Sequence, residues 1–170
     1  MLGNSPNYQP CGFVDRFLVM IIKANNTSGV TPVVTAAGFS QPARIIIADS
    51  DTAFTSTLST FLTAQPAFNV VAKVESCSDA LIWCEELSPD VHILDWHLMF
   101  EGLLPAEMKG VPFVKQIKSL KKAPAIIIAS RLSLDDHRNM AMQAGADEFM
   151  AKSKFPQLIR PLISRLVPQF

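Results

Sequence analysis

Asp49 and Asp51 with Ser50 between them, Asp95, Ser130 and Lys152 each stand at the end of a short apolar run. The runs are "IIIA" (45–48), "VHIL" (91–94), "AIIIA" (125–129) and "EFMA" (148–151). Branched apolar residues without alternation read as strands buried on both faces. Charge at the end of such a strand is costly unless it is solvated, paired or bound to a cation. Clustered carboxylates raise one another's pKa unless a cation holds them. Hard oxygen ligands of this kind suit Mg²⁺, which usually combines one or two carboxylates with phosphate oxygens. A lysine and a hydroxyl opposite can hold those phosphate oxygens. A carboxylate in such a place can itself be the nucleophile that takes a phosphoryl group. Singly, each residue has a simpler reading: Asp49 to Thr52 as a helix cap, Asp95 as a turn residue, Ser130 as a cap, Lys152 as a surface charge. Their shared place at strand ends argues for a site.

The elements that position them follow from the pattern downstream of Ala43. Strands are expected at Ile45 to Ala48, Val70 to Val74, Val91 to Leu94, Ala125 to Ala129 and Glu148 to Ala151. Helical spacing lies between them, near 52–65, 78–88, 111–121 and 134–145, and again near 156–167. Alternating strands and helices imply an α/β fold with a doubly wound parallel sheet covered on both faces. Ligands of such sheets gather beyond the carboxyl ends of the strands. In the last helix Pro156 suits the first turn, whereas Pro161 should bend the chain. Leu158, Ile159, Leu162, Ile163 and Leu166 repeat at helical spacing and are expected in the core.

Residues 1–42 read differently. Asn, Pro, Gly, Ser and Thr surround two short apolar stretches, so a mostly irregular extension is expected, with a strand at Val30 to Thr35. The 43–170 segment is then the folded domain. "FLVMII" (17–22) is the single targeting candidate, but it is short, follows Asp15 and lacks a cleavage site.

Lys plus Arg equals Asp plus Glu at 15 each, which gives no basic excess of the kind nucleic-acid binders show. Nearly half of the 170 residues are apolar, yet no segment reaches bilayer length. Cys77 and Cys84 share one helix face and Cys11 is remote, with no metal-ligand spacing among them. Reduced core thiols and a cytoplasmic location are the expectation. His92, inside the third strand, is expected as a hydrogen-bonded core histidine rather than a phosphorelay histidine.

From Arg44 to Val167 the chain resembles a response-regulator receiver domain of two-component signalling. "PDVHILDWH" (89–97) is similar to the family's phosphoacceptor strand and puts Asp95 in the acceptor place. "IIIAS" (126–130) matches the strand that ends in the switch Ser or Thr. "AGADEFMAKS" (144–153) places Phe149 at the aromatic switch position and Lys152 at the phosphate-binding lysine. "GVPFVKQIK" (110–118) looks like the start of the third helix. The resemblance implies a flavodoxin-like fold with strand order 2-1-3-4-5. It also implies Mg²⁺ held by Asp49, Asp95 and the His97 backbone carbonyl, with Asp51 as a further candidate.

Departures from the family pattern qualify that expectation. Ser50 stands where a second acid usually contacts Mg²⁺, so weak Mg²⁺ binding is expected. "LMFEGLLPAEMK" (98–109) is longer than the usual loop and can form a flap or contact surface. Ser153 replaces the proline that commonly follows the lysine.

The resemblance implies a phosphoacceptor that receives a phosphoryl group on Asp95 from a histidine kinase or histidine phosphotransfer protein. Lys152 and Ser130 bind the phosphate, and Ser130 and Phe149 shift to alter contacts with a downstream output protein. The chain stops soon after the last helix, so a stand-alone, non-enzymatic module acting by protein contact is expected, with no nucleic-acid or membrane partner. One alternative keeps the fold without the chemistry, as a phosphorylation-independent interaction module, which Ser50 and the long loop favour. A remote alternative is a haloacid-dehalogenase-type phosphatase, suggested by "DSDT" (49–52), but Ala53 and Phe54 depart from that signature.

Overall fold

The computed structural model describes residues 41–100, 112–132 and 134–168. The expected strand at 30–35, "FLVMII" and most of the 98–109 loop lie outside the described residues. Five strands, β1 (Ala43–Ala48), β2 (Phe68–Val74), β3 (Val91–Asp95), β4 (Ala125–Ser130) and β5 (Glu148–Ala151), form one parallel sheet. Its order is β2-β1-β3-β4-β5, as expected. The helices α1 (Thr52–Thr63), α2 (Cys77–Leu87), α3 (Pro112–Lys118), α4 (Asp135–Ala144) and α5 (Phe155–Leu166) connect the strands or follow the last one.

Period-two geometry sends alternate strand residues to opposite faces. Ile45, Ile47, Ile93 and Ile127 pack with Leu58 and Leu62 of α1 and Ile159 and Ile163 of α5. Ile46, Leu94, Ile126 and Ile128 pack with Cys84 of α2, Val114 and Ile117 of α3 and Ala141 of α4. Both faces of the central strands are therefore dry, which explains their unbroken apolar sequence. The order reverses between β1 and β3, and in sheets of this kind ligands gather beyond the strand ends at such a reversal.

Local signals set the helix boundaries. Asp51 is the N-cap of α1, its carboxylate accepting from the Phe54 N–H at 3.0 Å, and Ser76 caps α2 in the same way from Asp79. Gly145 ends α4 at φ 103°, a left-handed conformation that side chains resist. α5 continues through Pro161.

Two packing expectations need correction. Leu158 is 38% exposed and not core; the buried stripe of α5 is Ile159 and Ile163. His92 is fully buried, but neither ring nitrogen has a hydrogen-bond partner among the described residues. It sits between Ile46 and Ile126 in the sheet and meets Phe113 edge-on, three neighbours whose side chains carry no acceptor. Burial pushes its imidazole down to about 3, so it is neutral in the fold.

Candidate functional site

β1 ends at Ala48 and β3 at Asp95, and the neighbouring strand ends bring Asp49 and Asp95 together beyond the sheet. Both carboxylates are buried, at 2% exposure each. Lys152, which follows β5, reaches across the sheet end with its Nζ 2.6 Å from Asp49 and 2.6 Å from Asp95. It is itself only 7% exposed, so three charges share a nearly dry site with one net negative charge.

Further donors fix the two acids. The Asp51 N–H donates to Asp49 Oδ1 at 2.9 Å, and the His97 N–H donates to Asp95 Oδ2 at 2.8 Å. Burial pushes the Asp49 carboxyl above its ordinary range and the charge of Asp95 adds to that, while Lys152 and the Asp51 N–H pull the other way. Phe54, in the first turn of α1, lies against the ammonium, with Nζ 4.8 Å from the ring centroid. Phe155 in turn packs edge-on against Phe54 and Phe61.

Asp51 is not part of this cluster: its carboxylate is spent on capping α1. Ser50 is exposed. The ring of His97 is exposed, and its carbonyl accepts from the Phe100 N–H at 3.1 Å, leaving one lone pair for another partner. Leu98 and Met99 are buried in a short 3-10 turn, so this start of the long loop docks into the core.

Ser130 ends β4 at 2% exposure, and its Oγ accepts from the Leu132 N–H at 3.2 Å. The same oxygen lies 3.5 Å from Nδ1 of His137 in the first turn of α4. The His137 ring is stacked on Trp96, 4.2 Å between centroids and 14° from parallel. Trp96 also meets Phe149 of β5 and Phe100 edge-on. Ser130, Phe149 and the residue after Asp95 thus join through one aromatic cluster.

Sequence reasoning placed Asp49, Asp95 and Lys152 at one mouth, and the structure brings those three together. It missed Phe54 and His137. An aromatic residue soon after the strand-end acids was a visible signal for Phe54, but nothing in the sequence ties His137 to Trp96.

Among the described residues no three His, Cys, Asp or Glu side chains converge in metal-binding geometry. The donor set at the mouth is the two carboxylates of Asp49 and Asp95. That matches a cation that takes one or two carboxylates from the protein and keeps several waters, so these residues fit Mg²⁺ with a short complement of charge.

The response regulator receiver domain model matches residues 45–163. The chain is 31% identical to the chemotaxis protein CheY of Bacillus subtilis over 109 residues, 64% of this chain and 84% of that protein. It is also 31% identical over 110 residues to the transcriptional regulatory protein LiaR of Bacillus subtilis, covering 65% of this chain but 49% of LiaR. Against a protein-glutamate methylesterase/protein-glutamine glutaminase of Nitrobacter winogradskyi the coverage falls to 29% of that protein. The chain thus spans about half or less of these two longer relatives, and what it matches is the receiver part. Among solved structures, the signal receiver domain of the response regulator NarL from Mycobacterium tuberculosis shares the fold. Its TM-score is 0.63 at 19% identity, covering 74% of this chain and 97% of that one. The response regulator domain of Thermotoga maritima CheB gives 0.60 at 22% identity, with 74% and 96% covered. No described helix is long and apolar enough to cross a membrane. With a buried acid at each of two adjacent strand ends, a lysine across both and the family model over most of its length, the chain belongs to the response regulator receiver domain family.

Proposed function

We propose that this chain is a phosphoacceptor of a two-component relay, taking a phosphoryl group on Asp95 from a histidine kinase or histidine phosphotransfer protein. The observation that carries the reading is the Asp95 carboxylate, buried at the mouth and tethered to Lys152 at 2.6 Å. A carboxylate oxygen attacks phosphorus as the bond to the donor imidazole nitrogen breaks, and that bond's electron pair leaves with the imidazole. Asp49, Asp95 and the His97 carbonyl would hold Mg²⁺, which when bound supplies positive charge against the transferring phosphoryl oxygens. Lys152 gives up one carboxylate and turns its protons to the phosphoryl group, and Ser130 donates its hydroxyl proton to another oxygen. Phe149 follows Ser130, and the altered surface is read by a downstream output protein.

The test is covalent labelling with a small-molecule phosphodonor and Mg²⁺. One acid-stable, base-labile phosphoryl group is expected, lost in Asp95→Asn and only weakened in Asp49→Asn. Labelling that persists in Asp95→Asn sinks the assignment.

A second reading, an interaction module that works without phosphorylation, is favoured by one feature: Ser50 is exposed and supplies no charge where a third carboxylate would stand. It predicts partner binding unchanged by Asp95→Asn. The phosphatase reading is not favoured, because Asp51 is occupied as a helix cap and not free as an acid/base.

A further inference from the structure

We propose that His137 is a positioning residue that latches the Ser130 hydroxyl in its resting place, and that phosphoryl capture requires this latch to open. The inference rests on the phosphoacceptor reading above. Ser130 has one hydroxyl proton and must direct it at a phosphoryl oxygen on Asp95. In the structure its Oγ already receives the Leu132 N–H at 3.2 Å and lies 3.5 Å from Nδ1 of His137, at the outer edge of hydrogen-bonding distance. With Nδ1 unprotonated the hydroxyl donates its only proton to the ring; with Nδ1 protonated the ring donates to Oγ. The first arrangement spends the proton on the ring. The second leaves it free but holds Oγ to α4 by a second donor beside the Leu132 N–H, so in both the oxygen is fastened to α4.

The ring is not free to drift. Its face lies on Trp96, 14° from parallel; the Trp96 backbone N–H donates to the Ala129 carbonyl at 2.8 Å, and its indole is met edge-on by Phe100 and Phe149. The stack thus ties α4 to the residue next to Asp95, and the Nδ1 contact ties α4 to the residue that must move. Phe149 borders the same indole edge-on, so opening the latch frees the surface against which Phe149 sits.

The latch makes the resting state more favourable and the captured state harder to reach, so removing it tightens binding of a phosphoryl mimic. Beryllofluoride with Mg²⁺ is titrated into the full chain and followed by the Leu132 amide resonance, whose N–H bonds Ser130. His137→Phe keeps an aromatic ring on Trp96 and loses Nδ1; it should tighten the apparent affinity by about threefold to tenfold, the range of one neutral hydrogen bond. His137→Asn, which can place a carbonyl oxygen near the Nδ1 position, should return the affinity toward wild type. In a Ser130→Ala background, His137→Phe should change nothing, because the partner is gone. Melting followed by circular dichroism checks that each variant folds. Wild type that binds while His137→Phe binds with unchanged or weaker affinity overturns the latch and leaves the phosphoacceptor reading standing. Wild type whose response to beryllofluoride is absent, or survives Asp95→Asn, overturns that reading and the latch with it.

Discussion

Two buried polar side chains lie three residues apart on β3 and are treated in opposite ways. His92, in the strand's interior, has neither nitrogen paired among the described residues. Asp95, at its end, is held by Lys152 and by the His97 N–H, against the like charge of Asp49 beside it. The difference follows from what each group can do when dry. An imidazole escapes the cost of charge by staying neutral, and then forfeits only hydrogen bonds. A carboxylate beside a second carboxylate and an ammonium stays charged if the charges compensate. The strand therefore buries an inert polar group where packing is tight and a reactive one where the sheet opens.

The largest effect should come from removing the compensating cation. Lys152→Met leaves Asp49 and Asp95 buried with no positive side chain between them. Breaking a buried pair of this kind typically costs about 3–5 kcal/mol. Urea unfolding at neutral pH should show a loss of that order, and an Asp49→Asn second change should recover part of it. A loss below about 1 kcal/mol, the level of exposed ion pairs, would mean that water solvates the mouth and the contrast with His92 is false.

His92 should act in the other direction. His92→Leu removes two unpartnered polar atoms from an apolar setting, and stability should rise by about 1–3 kcal/mol, the usual penalty for an unsatisfied buried group. The sign of its pH dependence follows from the lowered pKa. The unfolded chain takes up the imidazole proton near the ordinary value of 6.5, while the folded chain resists until about 3. Between those values the unfolded state binds more protons, so acidification destabilises by at most about 1.4 kcal/mol per pH unit. Asp49 opposes this. Its raised folded pKa means that the folded state gains a proton first, between 3.8 and the raised value, so acidification there stabilises. Above Asp49's window the slope between the two belongs to His92, and His92→Leu should flatten it. A wild-type curve already flat below 6.5 would show that the ring finds a partner.

Ser50→Asp tests the mouth by adding the charge it lacks. Losing even a residue that only hydrogen-bonds a metal ligand typically costs about 10–100-fold in metal affinity, so restoring a carboxylate should tighten Mg²⁺ binding by about tenfold or more. Calorimetric titration reads this directly. Ordinary Mg²⁺ affinity in the parent protein, unchanged by the substitution, would mean that Asp51 leaves its capping position to bind the ion.

The sheet was legible because its chemistry is local. Buried parallel strands need branched apolar runs, and "IIIA" and "AIIIA" supply them in one dimension. The Asp49, Asp95 and Lys152 cluster was legible because all three follow such runs, and the fold rule then places strand ends together. What the chain hid is relational. Val71 is passed over where the β1–β2 register shifts between Ile45 and Ile46, and no glycine marks that irregularity. A histidine within an apolar run says that it is buried, not that its surroundings lack a donor or acceptor. His137 against Trp96 depends on how α4 lies across β3 and β4, which no spacing records.

The smallest effect is expected from deleting residues 1–42. The five strands from Ala43 onward already have helices on both faces, with α1 and α5 on one side and α2, α3 and α4 on the other. Ala43, Ile45 and Ile47 belong to a core cluster made with α1, β2, β3, β4, β5 and α5. Truncation should leave a cooperatively folding protein that loses less than about 1–2 kcal/mol out of a domain's usual 5–15. The same sample sharpens the comparison on β3. His92 has no partner within the described residues, and if the extension supplied one, the truncated protein would gain the acid limb that the parent lacked. The expected result is a pH profile identical before and after deletion, with the limb below pH 6.5 present in both. Aggregation, a larger loss, or a limb that appears only on truncation would make the extension part of the fold, with "FLVMII" the stretch to substitute next.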